Sequence, residues 1–244
     1  MSQSTRDVVR GISDAGATAV RQGASTMKPA RAAGVAGIVS VLLVIGDAIA
    51  AGSAPRETAS THTILTYYAN SSHWHRQELA LVLGALSLPF FFTFLGGLRG
   101  MLRAEEPRPA WISSVVLAAG AAFAVLFAAL STMRGVVAFA LDNSRAFRVG
   151  PLDPQLVRIL EQARSLFYLF ALVAGAVLIA GASTIALRTR LLPAAVAWGG
   201  LVIGAIVLIV AFFSTVAVFL LLLWIIVVAT LLLRVPTAEV PGVG

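Results

Sequence analysis

The chain has 244 residues, of which 59% are hydrophobic and 12% charged, and its mean hydropathy is +0.91. Soluble domains carry about 25% charged residues, so a water-soluble globule of this composition would lack the polar surface to cover its core. The net charge of +7 does not mark a nucleic-acid binder, because the Lys and Arg residues are spread between apolar segments, and the absence of cysteine excludes disulfides, thiolate metal centres and cysteine nucleophiles.

Residues 1–30 form a small, polar, basic tail with Arg6, Arg10, Arg21 and Lys28. Val8, Val9, Ile12, Ala15 and Ala19 recur at helical spacing, which admits an amphipathic helix on an anionic membrane surface. A disordered tail is the plainer expectation. No cleavable signal peptide is expected, since the first apolar segment starts late and is a full span long.

Six apolar segments follow, each close to the roughly 20 residues that a helix needs to cross a bilayer core. They cover residues 32–51, 78–98, 111–133 with an extension to 141, 165–187, 192–211 and 215–233. The last two come from 43 consecutive residues, 191–233, without one charged side chain. A turn at Phe212-Phe213-Ser214 is short enough to make them antiparallel neighbours. The expected fold class is therefore all-α, a polytopic bundle of six transmembrane helices. The expected organisation is a basic tail over 1–30, a membrane domain over 31–234 and a short C-terminal tail over 235–244.

Lys and Arg near span ends set orientation, because they are retained in the cytoplasm. One side collects the five of the N-terminal tail up to Arg31, then Arg99, Arg103, Arg108, Arg188, Arg190 and Arg234. The other holds Arg56, Arg76, Arg145, Arg148, Arg158 and Arg164. Eleven against six places both termini in the cytoplasm and makes residues 52–77 and 142–164 external segments. In the second of these, Asp153 followed by Pro154 reads as a helix start, with Asp as N-cap and Pro at the first helical position. Leu156, Ile159, Leu160 and Ala163 then recur at helical spacing, so this helix runs on into the fourth span.

Asp47 is the most informative single residue. It lies in the outer half of the first span, and a carboxylate inside a span is costly enough to be a functional hypothesis by default. The third span runs in the same direction and carries Arg134 near its outer end. Asp47 and Arg134 are therefore candidates for a ligand site or for an ion pair that merely neutralises both charges. His73, His75 and Glu78 form a second candidate set, for a metal, with His62 and Glu57 in reach to complete it. Their spacing matches no recognised ligand pattern, and a belt of Trp, Tyr and His at the membrane boundary is the plainer reading.

No histidine falls inside a span, which argues against a bis-histidine haem. It also leaves the in-span serines, Ser40, Ser87, Ser131 and Ser183 among them, without a base to activate them. Small residues at four-residue spacing, including Ala176 with Ala180 and Gly200 with Gly204, let helix backbones approach closely. They fit internal packing or a dimer contact. Pro89 falls mid-span and predicts a kink.

Three segments carry a resemblance. Ala33-Gly34-Val35-Ala36-Gly37 opens the first span, Leu88-Pro89-Phe90-Phe91 lies in the second, and Leu192-Pro193 with Trp198 opens the fifth. In these the chain resembles the uncharacterised six-span integral membrane proteins of GC-rich bacteria. The resemblance covers most of the chain and implies a location in the bacterial plasma membrane, with no activity attached.

No cofactor is implied, and no set of acid, base and nucleophile is visible. The functional expectation is a non-enzymatic protein that binds or passes a small or lipidic ligand, with Asp47 and Arg134 as its polar elements. The alternative is an accessory or structural subunit of a membrane complex. The partners implied are the lipid bilayer and, for the alternative, another membrane protein or a second copy of the chain.

Overall fold

The computed structural model describes residues 30–52, 54, 55, 58–106, 111–144, 152–210 and 216–234. Among these residues the chain forms seven helices and no strand. They are α1 (Ala30–Ala51), α2 (Thr61–Tyr68), α3 (Ser71–Glu105), α4 (Ile112–Asp142), α5 (Pro154–Thr189), α6 (Ala194–Val210) and α7 (Val216–Leu233). Five of them, α1, α3, α4, α5 and α7, are long and apolar enough to cross a membrane, and α6 is a shorter apolar helix of 17 residues. The chain is thus a helical, multi-pass membrane protein. The helix considered for the N-terminal tail, the turn at residues 212–214 and Glu57 lie outside the described residues.

Three helices run well past the segments that hydropathy marks. α3 has 35 residues, α4 31 and α5 36, so each is about 45–55 Å long at 1.5 Å per residue, against a bilayer core of about 30 Å. Capping explains where two of them start. The Asn70 side chain accepts from the Ser72 N–H at 3.0 Å and opens α3. Asp153 accepts from the Gln155 N–H at 2.9 Å, with Pro154 at the first helical position, and opens α5. Each cap satisfies donors that a helix start leaves open, so the helix begins in polar sequence and carries on into the apolar stretch. α3 also runs through Pro89 without a break.

α4 packs between α3 and α5, α5 packs on α6, and α6 on α7. α1 closes the bundle against α3 and α7. A side chain added at Gly34 would place its Cβ 2.7 Å from the Ala229 carbonyl of α7, and one at Gly37 would meet Phe94 of α3 at 2.7 Å. The Ala-Gly-Val-Ala-Gly segment is therefore a contact face, and its glycines set how near α1 can lie. On α5 and α6 the other small residues meet within one chain, because a Cβ at Gly204 would lie 3.3 Å from the Ala176 carbonyl and 3.7 Å from the Ala180 Cβ. The core between these helices is filled by Phe91, Phe94, Leu95, Phe123, Ile179 and Ile225.

At one end of the bundle α2 lies over the protruding turns of α3, α4 and α5. Ile64, Tyr68, Val137 and Val157 form a small core there, with Trp74 and Leu160 packed around it.

Candidate functional site

The buried face of α1 recurs at steps of three and four residues through Ala33, Gly37, Ser40 and Asp47 to Ala51. This periodicity turns Asp47 inward, towards α3 and α4, and leaves it 3% exposed. On α4 the same rule aligns Ala124, Phe127, Ser131 and Ala138 on one buried face, with Arg134 at its edge. The Arg134 guanidinium donates to the Asp47 carboxylate across the interface. Both in-span charges singled out by sequence are therefore brought together.

α3 completes the site with a residue that has no side chain. A Cβ at Gly84 would lie 3.2 Å from the Ser131 Oγ and 3.8 Å from the Asp47 Cγ. The Ser131 hydroxyl is buried and has no hydrogen-bond partner among the described residues. One turn further along α3, the Ser87 Oγ donates to the Gly84 carbonyl at 2.7 Å, and the Ser40 Oγ of α1 donates to the Ser87 carbonyl at 3.2 Å. A polar seam thus runs from the ion pair into an otherwise apolar three-helix contact. It ends at a cavity of about 20 Å3, room for one water, bounded by Ser40, Ser87, Phe91, Phe123, Phe127 and Ile225.

The histidine set does not converge. His73 and His75 lie on α3, where residues two apart stand about 200° apart around the axis. The His73 ring stacks on Tyr67 at 4.1 Å and its Nδ1 donates to the Tyr67 carbonyl at 2.8 Å. His75 is exposed and Glu78 half-buried. His62 is exposed on α2. Among the described residues no three His, Cys, Asp or Glu side chains come close enough to hold a metal ion. Among the described residues, helix geometry separates the imidazoles of His73 and His75, and His73 is engaged with Tyr67.

What these residues do is tie the α2 end of the molecule to the bundle. Gln77 Nε2 donates to the Ala51 carbonyl at 3.0 Å and to the Tyr67 Oη at 2.9 Å. Arg76 Nε donates to the Ala50 carbonyl at 3.2 Å and rests on Gly52, which takes the left-handed conformation at φ +57°. The two side chains satisfy the carbonyls that the end of α1 leaves open, and the Arg76 charge suits the negative end of the helix dipole. Trp74 Nε1 donates to the Tyr68 carbonyl at 2.8 Å, and Arg158 reaches the Ala59 carbonyl at 3.2 Å and the Thr61 hydroxyl at 3.1 Å. Burial, with the charges of Glu161 and Tyr67 beside it, raises the Tyr68 phenol above its ordinary range against the pull of Arg164. Tyr68 is therefore a neutral hydroxyl at any physiological pH.

At the other end of the bundle Glu106 caps α4 from a distance. Its carboxylate oxygens accept from the Ile112 N–H at 2.7 Å and from the Ser113 N–H at 3.0 Å. Trp111, at the N-cap position, offers no side-chain bond. Burial alone would raise the Glu106 carboxyl, but Ser113, the Ile112 N–H and the Arg188 charge together hold it below the usual glutamate range. No family model matches this chain, and neither a curated protein nor a solved structure matches it.

Proposed function

We propose that the chain is a six-span integral protein of a bacterial plasma membrane, with both termini in the cytoplasm, and that it binds a small polar ligand at Asp47 and Arg134 without carrying out chemistry. The observation that carries this reading is the buried pair itself, set beside the unpartnered Ser131 hydroxyl and Gly84. Charges inside a span are costly, and well-packed apolar side chains in place of a buried ion pair are often as stable or more so. Packing alone therefore does not account for two charges here.

Two observations support the topology. α6 has 17 residues, about 26 Å of helix, which reaches the lower limit for a span. Six spans return the chain to its starting side, and that side then holds eleven of the Lys and Arg residues counted above against six. The folded structure around α2 favours a second reading, an accessory subunit that presents this external cap to another membrane protein.

Native mass spectrometry of the protein released from mild detergent tests both. The ligand reading expects a specific small mass on the wild type that is lost in Asp47→Glu, which keeps the charge but moves the carboxylate. A bare chain in both samples overturns it. A co-purifying protein with no small mass transfers support to the accessory reading.

A further inference from the structure

We propose that the C-terminal end of α3 holds an anionic phospholipid. Its phosphate sits on Arg99 and Arg103, and one acyl chain lies along a groove floored by Gly96 and Gly100. The site is separate from the Asp47–Arg134 pair and does not rest on the ligand reading.

Residue size makes the groove. Elsewhere in the bundle glycines make room for a neighbouring helix: a Cβ would run into Phe94 at Gly37, Leu95 at Gly120 and Leu221 at Gly175. At Gly96 and Gly100 a Cβ would meet nothing within 4 Å. Thr93 and Ala104 continue this exposed face at steps of three and four residues. The result is a bare strip about 16 Å long at 1.5 Å per residue. Phe92, 45% exposed, stands beside it, and Arg99 and Arg103 follow Phe92 at helical spacing, so the three form one ridge along the strip. Phe91, Phe94, Leu95 and Leu98 take the opposite face of α3 into the core, which turns the strip away from the bundle.

The two arginines lack a counter-ion. Among the described residues no carboxylate pairs with either. Glu106 is engaged by the Ile112 and Ser113 N–H groups, and Glu105 stands about 200° further round the axis than Arg103. Arg99 is half-buried, and its Nε is sheltered without a hydrogen-bond acceptor. Its stem therefore lies against the bundle, and the terminal nitrogens are left for an acceptor from outside. One turn separates Arg99 from Arg103 on the same face, a spacing at which two guanidinium groups can close on one phosphodiester.

Depth and charge select the occupant. The apolar segment of α3 ends at Leu98. Arg99 and Arg103 lie about 1.5 and 7.5 Å past it, within a headgroup layer about 5–8 Å thick, whereas Gly96 and Thr93 lie on the hydrocarbon side. A lipid held by its phosphate at the arginines thus has its chain beside the bare strip. Phosphatidylglycerol suits the site, while phosphatidylethanolamine brings an ammonium against two cations. A second copy of the chain would fill the strip but not satisfy the charge. A two-fold axis along the membrane normal would set Arg99 and Arg103 of both copies side by side at one depth.

Native mass spectrometry tests this on the full chain in micelles with equal amounts of phosphatidylglycerol and phosphatidylethanolamine of identical acyl chains. The expected result is retention of one phosphatidylglycerol several-fold over phosphatidylethanolamine. Arg99→Gln with Arg103→Gln should lower that retention by about fivefold per charge removed. Arg31→Gln with Arg234→Gln removes two exposed arginines from the same end of the bundle and should leave it unchanged. Gly96→Leu places a side chain in open space, keeps every charge, and should also lower retention several-fold. Equal retention of the two lipids by the wild type overturns the proposal. So does an equal loss in the Arg31 and Arg234 variant, which would mark a diffuse charge effect, or full retention in Gly96→Leu. A dimer of the chain that Gly96→Leu dissociates would assign the strip to a second copy and overturn it as well.

Discussion

The Asp47–Arg134 pair makes a quantitative demand on each of its residues. Removing one partner of a buried pair strands the other charge and costs about 3–5 kcal/mol. Arg134→Met and Asp47→Leu alone should each melt well below the wild type in detergent. The double variant removes both charges and fills the space with apolar volume, so it should recover most of that loss. A double variant no more stable than either single one would mean that the seam needs its polarity to fold. The pairing was legible from sequence because hydropathy isolates Asp47 in its span and the alternation of span directions brings the third span's outer end beside it. Gly84 was not legible, since a glycine announces nothing about what lies opposite it. The arrangement of the histidines was hidden for a related reason. Their spacing suits a ligand set in extended chain, but Asn70 starts a helix just before them, and the helix points them apart.

Among the elements, α4 gives the clearest case of a helix held from outside its own sequence. Its first residue follows Trp111, which cannot cap, and the carboxylate that does so belongs to Glu106 at the end of α3. No capping motif could reveal this, because the usual pattern looks three residues along and not back over a loop. Glu106→Gln keeps the shape and removes the charge that faces the α4 N-terminus, and should cost about 1 kcal/mol. The pH dependence follows from the direction of the shift. A carboxyl held below its ordinary value is more stable ionised in the folded protein, so its contribution is fully present above pH about 4.3. It is lost as the pH falls through the lower, folded value. Melting curves from pH 6 down to pH 3 should therefore drop less steeply for Glu106→Gln than for the wild type, and parallel curves would count against the cap. The start of α5 was more legible, since Asp153 and Pro154 stand immediately before the turn they cap, whereas α3 starts at Ser71, seven residues before the apolar segment that hydropathy marks. The links from Arg76 and Gln77 to the end of α1 were hidden, because their acceptors are backbone carbonyls that no residue type marks.

At the scale of the whole molecule, span number and orientation are a single question, because α6 decides both. Its 17 residues stop at Val210, whereas composition alone offered 43 uncharged residues and no internal boundary. If α6 crosses, Arg234 lies on the same side as Arg103 and Thr189; if it dips in and returns, Arg234 lies on the opposite side. The chain has no cysteine of its own, so single cysteines at exposed or half-buried polar positions report sidedness without background. With six spans and cytoplasmic termini, Ser72→Cys and Gln155→Cys at the α2 end should react with a membrane-impermeant maleimide in intact cells. Arg103→Cys, Thr189→Cys and Arg234→Cys should react only after the membrane is opened. Reaction of Arg234→Cys alone among these three in intact cells would show that α6 does not span and that the C-terminus is external. Reaction of Arg103→Cys in place of Ser72→Cys would invert the whole topology. That inversion would move the Asp47–Arg134 pair and the α2 cap to the cytoplasmic side, where a ligand or partner would have to be sought.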